Sequence, residues 1–277
     1  MKTLNIIGCG RAGKALARLW TQQSIFAVQD VLNRTSESAQ HAVSFIGAGR
    51  AIEHYADLRV ADVYMITTAD DQIAQCCEAL ANAGKLTPES VVFHCSGALP
   101  SATLQAAAQC GAAVASIHPI RSFADPEQAA NEFAGTWCGA EGDPQALDLL
   151  NSAFSAIGAR IAQVHAHHKI IYHSAAVFAC NYLVTLLDIA VQAYGKAGVP
   201  QDAALDMMEP LVRGTIDNVF RIGPAAALNG PIARGDMTTA EKQAQAVAAW
   251  DREYGKLYEQ FVGLTVELAA RRSVPQY

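Results

Sequence analysis

The chain has 277 residues, of which 51% are hydrophobic, 17% charged and 7% aromatic, and its formal net charge is −6. This length leaves room for two domains of ordinary size, and the apolar content excludes a chain that is largely disordered. The negative charge argues against a nucleic-acid-binding surface, which carries a basic excess, but allows a local site for a small anion.

The seven cysteines form no C-x-x-C pair, and the first residues lack the long apolar segment of a signal peptide. We therefore expect reduced thiols and a cytoplasmic location. The most apolar stretch, residues 174–191, contains Asn181, Tyr182 and Asp188, which favours a buried helix over a membrane span.

The first half of the chain alternates short apolar runs with helical segments. Near-continuous apolar strands separated by helices predict an α/β domain with a doubly wound parallel sheet, covered on both faces. Predicted strands cover residues 3–7, 26–32, 50–52, 63–67, 91–94, 113–117, 136–140 and 160–164. Predicted helices cover residues 12–22, 36–46, 71–83, 101–110 and 144–157, and Asp70 is expected to cap the third of them.

After about residue 165 the strand signal disappears. Residues 167–196 and 203–220 read as helices, with Pro210 as a kink or break. Thr238 and Glu241 form a capping box that begins further helix, to about residue 271 with a break near 251–255. We therefore predict an N-terminal Rossmann domain, residues 1–165, and an all-helical domain, residues 166–277.

The first strand runs directly into a glycine-rich loop with the pattern G-x-G-x-x-G, at the start of the first helix. In this context the pattern predicts a dinucleotide site, whose phosphates lie on the helix N-terminus. Arg11 either adds positive charge near the phosphates or is a solvated loop arginine. The loop consists of Gly8, Cys9, Gly10, Arg11, Ala12 and Gly13.

The end of the second strand should face the ribose of such a nucleotide, about 20 residues after the loop. No carboxylate stands there: the residues are Asn33, Arg34 and Thr35, while Asp30 lies earlier, within the strand. Arginine pairs well with a 2′-phosphate, and Asn33 and Thr35 can add donors. The sequence therefore favours NADP over NAD.

Ligands in this fold bind beyond the carboxyl ends of the strands. Ser96 either stabilises its loop or binds ligand. An imidazole such as His118, placed before a proline at a strand end, is suited to substrate binding or to acid–base chemistry. The candidates at these strand ends are Thr67, Thr68, Ala69, Ser96, Gly97, His118 and Arg121.

Polar residues of the helical part are further candidates. Lys169, one helical turn before His173, is a candidate acid. Asn181 lies in an apolar helix and needs a partner, which is a ligand or another helix. Arg234 either clamps a substrate carboxylate or is tied to its own loop. The histidines near residue 165 have poor spacing for a metal site, and we expect no metal.

Together, the glycine loop, Asn33-Arg34-Thr35, Ser96-Gly97, the stretch from His118 to Arg121, Asn181-Tyr182-Leu183 and the segment Gly230-Pro231-Ile232-Ala233-Arg234-Gly235-Asp236 resemble a bacterial family. Its members are Rossmann-like proteins with a C-terminal DUF2520 domain. That family is similar in architecture to 6-phosphogluconate dehydrogenase-like enzymes, including 3-hydroxyisobutyrate dehydrogenase, pyrroline-5-carboxylate reductase and ketopantoate reductase. The resemblance implies NADP-linked oxidoreduction and a homodimer formed through the helical domain.

The sequence thus predicts an NADP-dependent oxidoreductase that acts on a small carbonyl, imine or hydroxy acid in an interdomain cleft. His118, Lys169 and Asn181 are the predicted catalytic residues. Arg121, His173 and Arg234 are the predicted substrate-binding residues. The alternatives are a nucleotide-binding sensor or scaffold without turnover and a deazaflavin-dependent reductase. No nucleic-acid or membrane partner is expected.

Overall fold

The computed structural model describes residues 1–273. The chain divides into two compact units, one from Met1 to Ala179 and one from Cys180 onwards. This division falls within the helical region that follows the last strand, whereas the predicted domain boundary lies at residue 165. The first helical residues after the sheet therefore belong to the α/β unit.

The first unit is built on an eight-stranded sheet with the strand order β3-β2-β1-β4-β5-β6-β7-β8. Strands β1 to β6 run parallel to one another, so the predicted doubly wound α/β fold is confirmed. The strands are β1 Lys2–Ile7, β2 Phe26–Leu32, β3 Arg50–Ile52, β4 Val63–Ile66, β5 Val91–His94, β6 Ala113–Pro119, β7 Trp137–Gly142 and β8 Arg160–Gln163.

One part of the sheet differs from the prediction of a parallel sheet, because β7 runs antiparallel to β6 and β8 follows β7 in parallel. The connection between β6 and β7 contains one short helix, Pro126–Asn131. Six helical residues span about 9 Å, less than the ~20 Å of a six- or seven-residue strand. The connection returns at the edge where β6 ends, as the antiparallel pairing shows.

Helices cover the sheet, and buried apolar side chains form one cluster on each face. In the larger cluster, the Trp20 ring meets the rings of Phe26 and Phe154 edge-on at 5.3 and 5.1 Å. The Trp20 indole also donates to the Ala153 carbonyl at 3.0 Å. The helices of this unit are α1 Arg11–Gln22, α2 Ser36–Ile46, α3 Ile73–Asn82, α4 Gln105–Gln109, α5 Pro126–Asn131, α6 Pro144–Ala156 and α7 Lys169–Ala176.

In the described residues from Cys180 onwards the secondary structure is helical. Pro210 lies inside α9 without interrupting it: of the expected kink or break, the break is wrong and the kink stays a prediction. Helix α11 begins at Met237 with Asp236 as its cap, one residue before the predicted capping box, and Asp251 separates α11 from α12 as expected. A π-helical segment, Val177–Asn181, precedes α8. The helices are α8 Tyr182–Lys196, α9 Gln201–Ile222, α10 Pro224–Ala227, α11 Met237–Trp250 and α12 Arg252–Ala270.

The apolar helical stretch Ala166–Lys196 is long enough to cross a membrane, by length and composition, with a mean hydropathy of 1.7. None of its most apolar window is buried in the structure. The expectation that this helix is buried within its own chain is therefore wrong. Such a helix needs a partner for its apolar side chains.

Candidate nucleotide and catalytic site

The glycine-rich loop joins β1 to α1. Gly8 has a φ of +74°, and an added Cβ would overlap Thr68 Cγ2, so this turn requires glycine. Gly13 packs directly against the Thr67 hydroxyl, which donates to the Gly8 carbonyl at 2.9 Å. At Gly10 the atom nearest to an added Cβ is 3.9 Å away, and no side chain caps α1. The amides that begin α1 therefore suit a bound phosphate.

The remaining loop residues have different environments. Cys9 is buried, and burial raises the pKa of its thiol to about 12. Ala12 is half-buried, and Arg11 is exposed. Arg11 makes no hydrogen bond or ion pair with the described residues. The loop thus supplies backbone amides and one exposed cation to this end of the sheet.

A cavity of about 850 Å³ opens beside the loop. Asn33 lines it, but its side chain is engaged: Oδ1 accepts from the Cys9 amide at 2.6 Å and Nδ2 donates to Ser38 Oγ at 2.9 Å. Thr35 also lines the cavity and caps α2 by accepting from the Ser38 amide at 3.2 Å. Asn33 and Thr35 therefore shape the cavity by holding the loop and the helix.

Arg34 lies in the wall of the same cavity. It is exposed and makes no hydrogen bond or ion pair within residues 1–273. Glu53 and Tyr55 also line the cavity. Burial raises the pKa of the Tyr55 phenol, and a hydrogen bond with Cys76 adds to this effect. The cavity thus combines an uncommitted guanidinium with a neutral aromatic ring.

Asp30, the carboxylate nearest to the end of β2, does not face this cavity. Its side chain is fully buried and pairs with Arg50 at 3.0 Å and Arg59 at 2.9 Å. Burial alone would raise its pKa, but the hydrogen bonds from Arg59 and Arg50 hold the pKa of Asp30 below the usual range. Asp30 is therefore a structural anion.

The end of β4 lies beside the glycine loop. Thr68 and Ala69 line the cavity, and the buried Thr68 hydroxyl has no hydrogen-bond partner among residues 1–273. Asp70 does not act as the predicted helix cap: it begins the 3₁₀ turn Asp70–Gln72, before α3. Its carboxylate instead accepts from Ser96 Oγ at 2.8 Å.

Ser96 organises the loop after β5. Its hydroxyl accepts from the amides of Ala98 and Leu99, and its own amide donates to His94 Nδ1 at 3.1 Å. The ring proton of His94 must therefore lie on Nε2, which faces the Pro100 carbonyl at 3.1 Å. These contacts favour the loop-stabilising role for the Ser96 side chain.

Lys169, the first residue of α7, is 1% exposed. Its Nζ donates to the Ser96 carbonyl at 3.0 Å and to Ser116 Oγ at 2.6 Å. Burial lowers the pKa of Lys169, and the carboxylate of Glu141 opposes this effect. Lys169 therefore connects the start of α7 to the loop after β5 and to β6, and its buried ammonium group contacts both.

The rings of Tyr172 and His173 both contact the ring of His118. His118, near the end of β6, has its Nδ1 3.0 Å from the hydroxyl of Tyr172 on α7. The rings of His118 and His173 meet edge-on at 5.9 Å. Gly97 lies against both histidines: an added Cβ would be 2.9 Å from His118 Nε2 and 2.6 Å from His173 Nδ1. The structure thus brings Gly97, His118 and His173 together, as candidates of one site.

The other predicted substrate-binding and catalytic residues are described each in its own unit. The Arg121 guanidinium is engaged with Glu132, through its carbonyl and its carboxylate. Arg234 lies in the second unit, in the 3₁₀ turn Ile232–Arg234. Asn181 is exposed and ends the π-helical segment. Among the described residues, no cluster of three or more histidine, cysteine or carboxylate side chains could hold a metal.

Sequence reasoning missed Tyr172 and the glycine on which it packs, Gly139. The signal for Tyr172 was present, since it follows Lys169 by three residues and shares its helical face. The signal for Gly139 was absent, because its role depends on the antiparallel pairing that sets it opposite His118. Burial raises the pKa of the Tyr172 phenol to about 12.

Two domain descriptions match the chain: a Rossmann-like domain over residues 2–119 and a domain of unknown function, DUF2520, over residues 136–265. Among proteins with curated descriptions, none matches.

Several solved structures share the fold. A protein from Thermotoga maritima is 25% identical with a TM-score of 0.78, covering 98% of this chain and 100% of its own. A protein from Bacteroides fragilis, provisionally assigned as an NADP oxidoreductase, is 22% identical with a TM-score of 0.73, covering 96% and 98%. An imine reductase from Myxococcus stipitatus in complex with NADP⁺ is 17% identical with a TM-score of 0.63, covering 97% and 93%.

Proposed function

We propose that this chain, which belongs to the Rossmann-like proteins with a DUF2520 domain, is an NADP-dependent oxidoreductase. Its substrate would be a small carbonyl, imine or hydroxy acid. The observation that carries the proposal is the pairing of a phosphate-ready glycine loop with an uncommitted Arg34 in the wall of one cavity. The same fold occurs in oxidoreductases that bind NADP or NAD.

The residues present fit a dinucleotide. The open space at Gly10 and the uncapped start of α1 suit the pyrophosphate. Arg34 can hold a 2′-phosphate through paired hydrogen bonds, and Thr68 and Ala69 form the wall between loop and cavity. When bound, the nicotinamide would supply or accept a hydride.

His118 is the proposed catalytic residue of the chain, with His173 as a substrate-binding neighbour. Burial lowers the pKa of His118 to about 4, and the cation of Lys169 adds to this effect, so its ring is neutral at pH 7. A neutral imidazole donates one hydrogen bond to a substrate oxygen or nitrogen. Lys169 acts beneath the site, where it holds the Ser96 loop. Asn181, Arg121 and Arg234 remain proposed contributors to catalysis and substrate binding.

A nucleotide titration tests the cofactor assignment. Calorimetry with NADPH and NADH should show tighter binding of NADPH by the native chain. Replacing Arg34 with Asp should weaken NADPH by about 10- to 100-fold, because a hydrogen bond to a charged group is worth ~1.5–3 kcal/mol. The same charge change at the exposed Arg252, in the second unit, is the control. An unchanged NADPH affinity in Arg34→Asp would contradict the assignment.

A turnover assay separates an enzyme from the alternatives. NADPH oxidation is followed with glyoxylate and 2-methyl-1-pyrroline, and NADP⁺ reduction with 3-hydroxyisobutyrate. Turnover with any probe supports the oxidoreductase, and nucleotide binding without turnover supports a sensor or scaffold. A solvent-exposed Lys169 would have favoured the scaffold. Because Lys169 is buried, it gives the scaffold no such support. A deazaflavin-dependent reductase would bind neither nicotinamide nucleotide.

We also propose a cytoplasmic homodimer formed through the helical unit. Apolar side chains are exposed on three of its helices, and α9 and α12 also carry many charged residues, which a lipid bilayer would not accept. A second copy of the chain is therefore the proposed cover. The exposed side chains are Val184, Leu186, Leu205, Met207, Leu211, Phe220, Ile222, Leu257, Phe261, Leu264 and Val266.

A further inference from the structure

The carboxylate of Glu141, in β7, is a buried charged group to which the proposed function gives no role. The residue is 6% exposed. Its Oε1 accepts from the Ser101 amide and its Oε2 from the Ser101 hydroxyl, both at 2.7 Å. Ser101 begins the 3₁₀ turn Ser101–Leu104, and the first amides of a helical turn have no partner within it. Glu141 therefore fixes the point where the loop after β5 ends.

The start of the same loop is fixed by Lys169, which is also buried. Its Nζ donates to the Ser96 carbonyl at 3.0 Å and to Ser116 Oγ at 2.6 Å. Ser116 stands directly opposite Glu141 in the antiparallel pairing of β6 with β7, so these two side chains lie on one face of the sheet. The loop Ser96–Ser101 is thus held at both ends by buried groups of opposite charge.

Both residues that hold the loop come from a later part of the chain than the loop itself. Glu141 and Lys169 lie within residues 136–265, which match the DUF2520 domain, whereas the loop lies within residues 2–119, which match the Rossmann-like domain. All of these residues belong to the first compact unit. The beginning of the DUF2520 region is therefore part of the sheet unit and holds a loop at the carboxyl end of a parallel strand.

The loop lies on the side of β1 where the second half of a dinucleotide would bind. Arg34, in the wall of the cavity, follows β2, which lies on one side of β1, while β4 and β5 lie on the other side. Strand β5 is two strands from β1, about 10 Å at the usual strand spacing. A dinucleotide whose phosphates lie on the glycine loop extends to both sides of that loop. With its adenosine half at Arg34, its nicotinamide half therefore extends towards the loop after β5.

We propose that Glu141 is a positioning residue of the nucleotide site: together with Lys169 it fixes the loop Ser96–Ser101 in the place where the loop contacts the nicotinamide half of NADP. This inference rests on the proposed function for its ligand, whereas the hold on the loop belongs to the protein alone. Asp70 joins the same loop to the cavity, because it follows the lining residue Ala69 and its carboxylate accepts from Ser96 Oγ at 2.8 Å.

The charges of the two holding residues support each other. Burial lowers the pKa of Lys169, and among the charged groups around it the Glu141 carboxylate opposes this effect most, followed by Cys95 and Asp70. A buried charge that loses its partner is left uncompensated. Removing the Glu141 side chain therefore acts on both ends of the loop, since Ser101 loses its acceptor and Lys169 loses its main counter-charge.

Calorimetry with NADPH and with adenosine 2′,5′-bisphosphate separates the two halves of the nucleotide site. In Glu141→Ala the affinity for NADPH should fall by about 10-fold, the worth of one hydrogen bond to the nicotinamide amide. The affinity for adenosine 2′,5′-bisphosphate should stay as in the native chain. Glu141→Gln keeps an acceptor for the Ser101 amide, so its NADPH affinity should lie nearer to the native value than that of Glu141→Ala. Glu89→Ala, at an exposed glutamate of the same unit, is the control.

An NADPH affinity unchanged in Glu141→Ala would overturn the proposal. An equal loss of affinity for both ligands would also overturn it, because Glu141 would then serve the fold alone. Glu141→Gln that binds NADPH no better than Glu141→Ala would contradict the hold through Ser101. Melting temperatures recognise a variant that does not fold. In that case Ser101→Ala, which removes only the hydroxyl bonded to Glu141, replaces it and should lower the NADPH affinity by about threefold.

The hold on the loop is measured on the free protein by amide hydrogen exchange. The Ala98 and Leu99 amides donate to Ser96 Oγ within the loop, and Glu141→Ala should speed their exchange by about 10-fold or more, as expected for a loop that opens more often. Unchanged exchange would overturn the positioning role. Binding of neither NADPH nor NADH by the native chain would instead refute the proposed function, while the exchange measurement would still decide whether Glu141 holds the loop.

Discussion

The two units of the chain bury their apolar side chains to very different extents. The α/β unit has a buried cluster on each face of its sheet, with Trp20, Phe93 and Phe154 packed edge to edge. From Cys180 onwards, the buried hydrophobic residues in the described chain are Ala204, Met208 and Ala240. The first unit thus contains its own core, whereas the second exposes an apolar surface, which the proposed second copy of the chain would cover.

The largest expected effect is the loss of that partner. Leu211 and Leu264 are 63% and 59% exposed, on α9 and α12. A carboxylate at either position would be left unpaired in a dimer interface at a cost of ~3–5 kcal/mol. Leu211→Asp and Leu264→Asp should therefore weaken the dimer by more than about 100-fold, as measured by sedimentation equilibrium.

Val60→Asp is the matched control, because Val60 is similarly exposed, at 56%, but lies in the first unit. It should leave the dimer intact. A native chain that sediments as a monomer at every concentration would contradict the homodimer. Flotation of the native chain with phospholipid vesicles would show that the apolar helices meet a bilayer instead.

A second prediction separates the two units by how their stability depends on protein concentration. Trp20→Ala should destabilise the first unit by ~3–5 kcal/mol, as expected for the loss of a buried aromatic side chain, at any protein concentration. The second unit should become more stable as concentration rises, because a partner binds its folded form. Hydrogen exchange measured at two protein concentrations reports the stability of each unit. Equal protection of α9 from hydrogen exchange at the two protein concentrations would contradict the expectation that a partner stabilises the second unit.

The α/β fold and the cavity beside the glycine loop follow from local sequence signals. The apolar runs, the G-x-G-x-x-G spacing and the turn after β2 are local, so they predict the sheet, the loop and the place of Arg34. The engaged side chains of Asn33 and Thr35 were not predictable, because their partners, Cys9 and Ser38, depend on how the loop and α2 close.

The second site depends on contacts between distant parts of the chain. His118 meets Tyr172 across 54 residues, and Lys169 meets Ser96 across 73. The sequence indicates His118, Lys169 and His173 as polar residues at strand and helix ends. It does not show that Lys169 is buried, since that depends on its contacts with Ser96 and Ser116. Nor does it show that Gly139 receives a ring, since that depends on the antiparallel pairing of β7 with β6.

A third prediction concerns the buried ammonium group of Lys169, in the first unit. Lys169→Met keeps the shape of the side chain but removes the ammonium donor from the Ser96 carbonyl and the Ser116 hydroxyl, which keep only the 3.3 Å hydrogen bond between them. We expect a loss of ~1–3 kcal/mol in the unfolding free energy, the usual penalty for unsatisfied buried groups. The pKa of His118 should rise, because the Lys169 charge helps to lower it. A ¹H–¹⁵N titration of His118 that is unchanged in Lys169→Met would contradict this electrostatic link.

The smallest expected effect is a pH dependence that also belongs to the first unit. Burial lowers the pKa of both His94 and His118 to about 4, from an ordinary value of 6.5. Between pH 6.5 and 4 the unfolded chain therefore binds protons that the folded chain does not, so stability is lost as the pH falls.

The full stabilisation should be present well above pH 6.5, and near pH 5.5 the loss should be about 1.4 kcal/mol for each of the two histidines, since the pH is then one unit below the ordinary pKa. Melting temperatures measured from pH 7 to pH 4 check this slope. His94→Asn keeps an acceptor for the Ser96 amide and removes the titration, so its slope should be shallower. His41→Asn, at an exposed position of the same unit, should leave the slope as it is. A native slope that is flat over this interval would show that the buried histidines take up protons without unfolding the α/β unit.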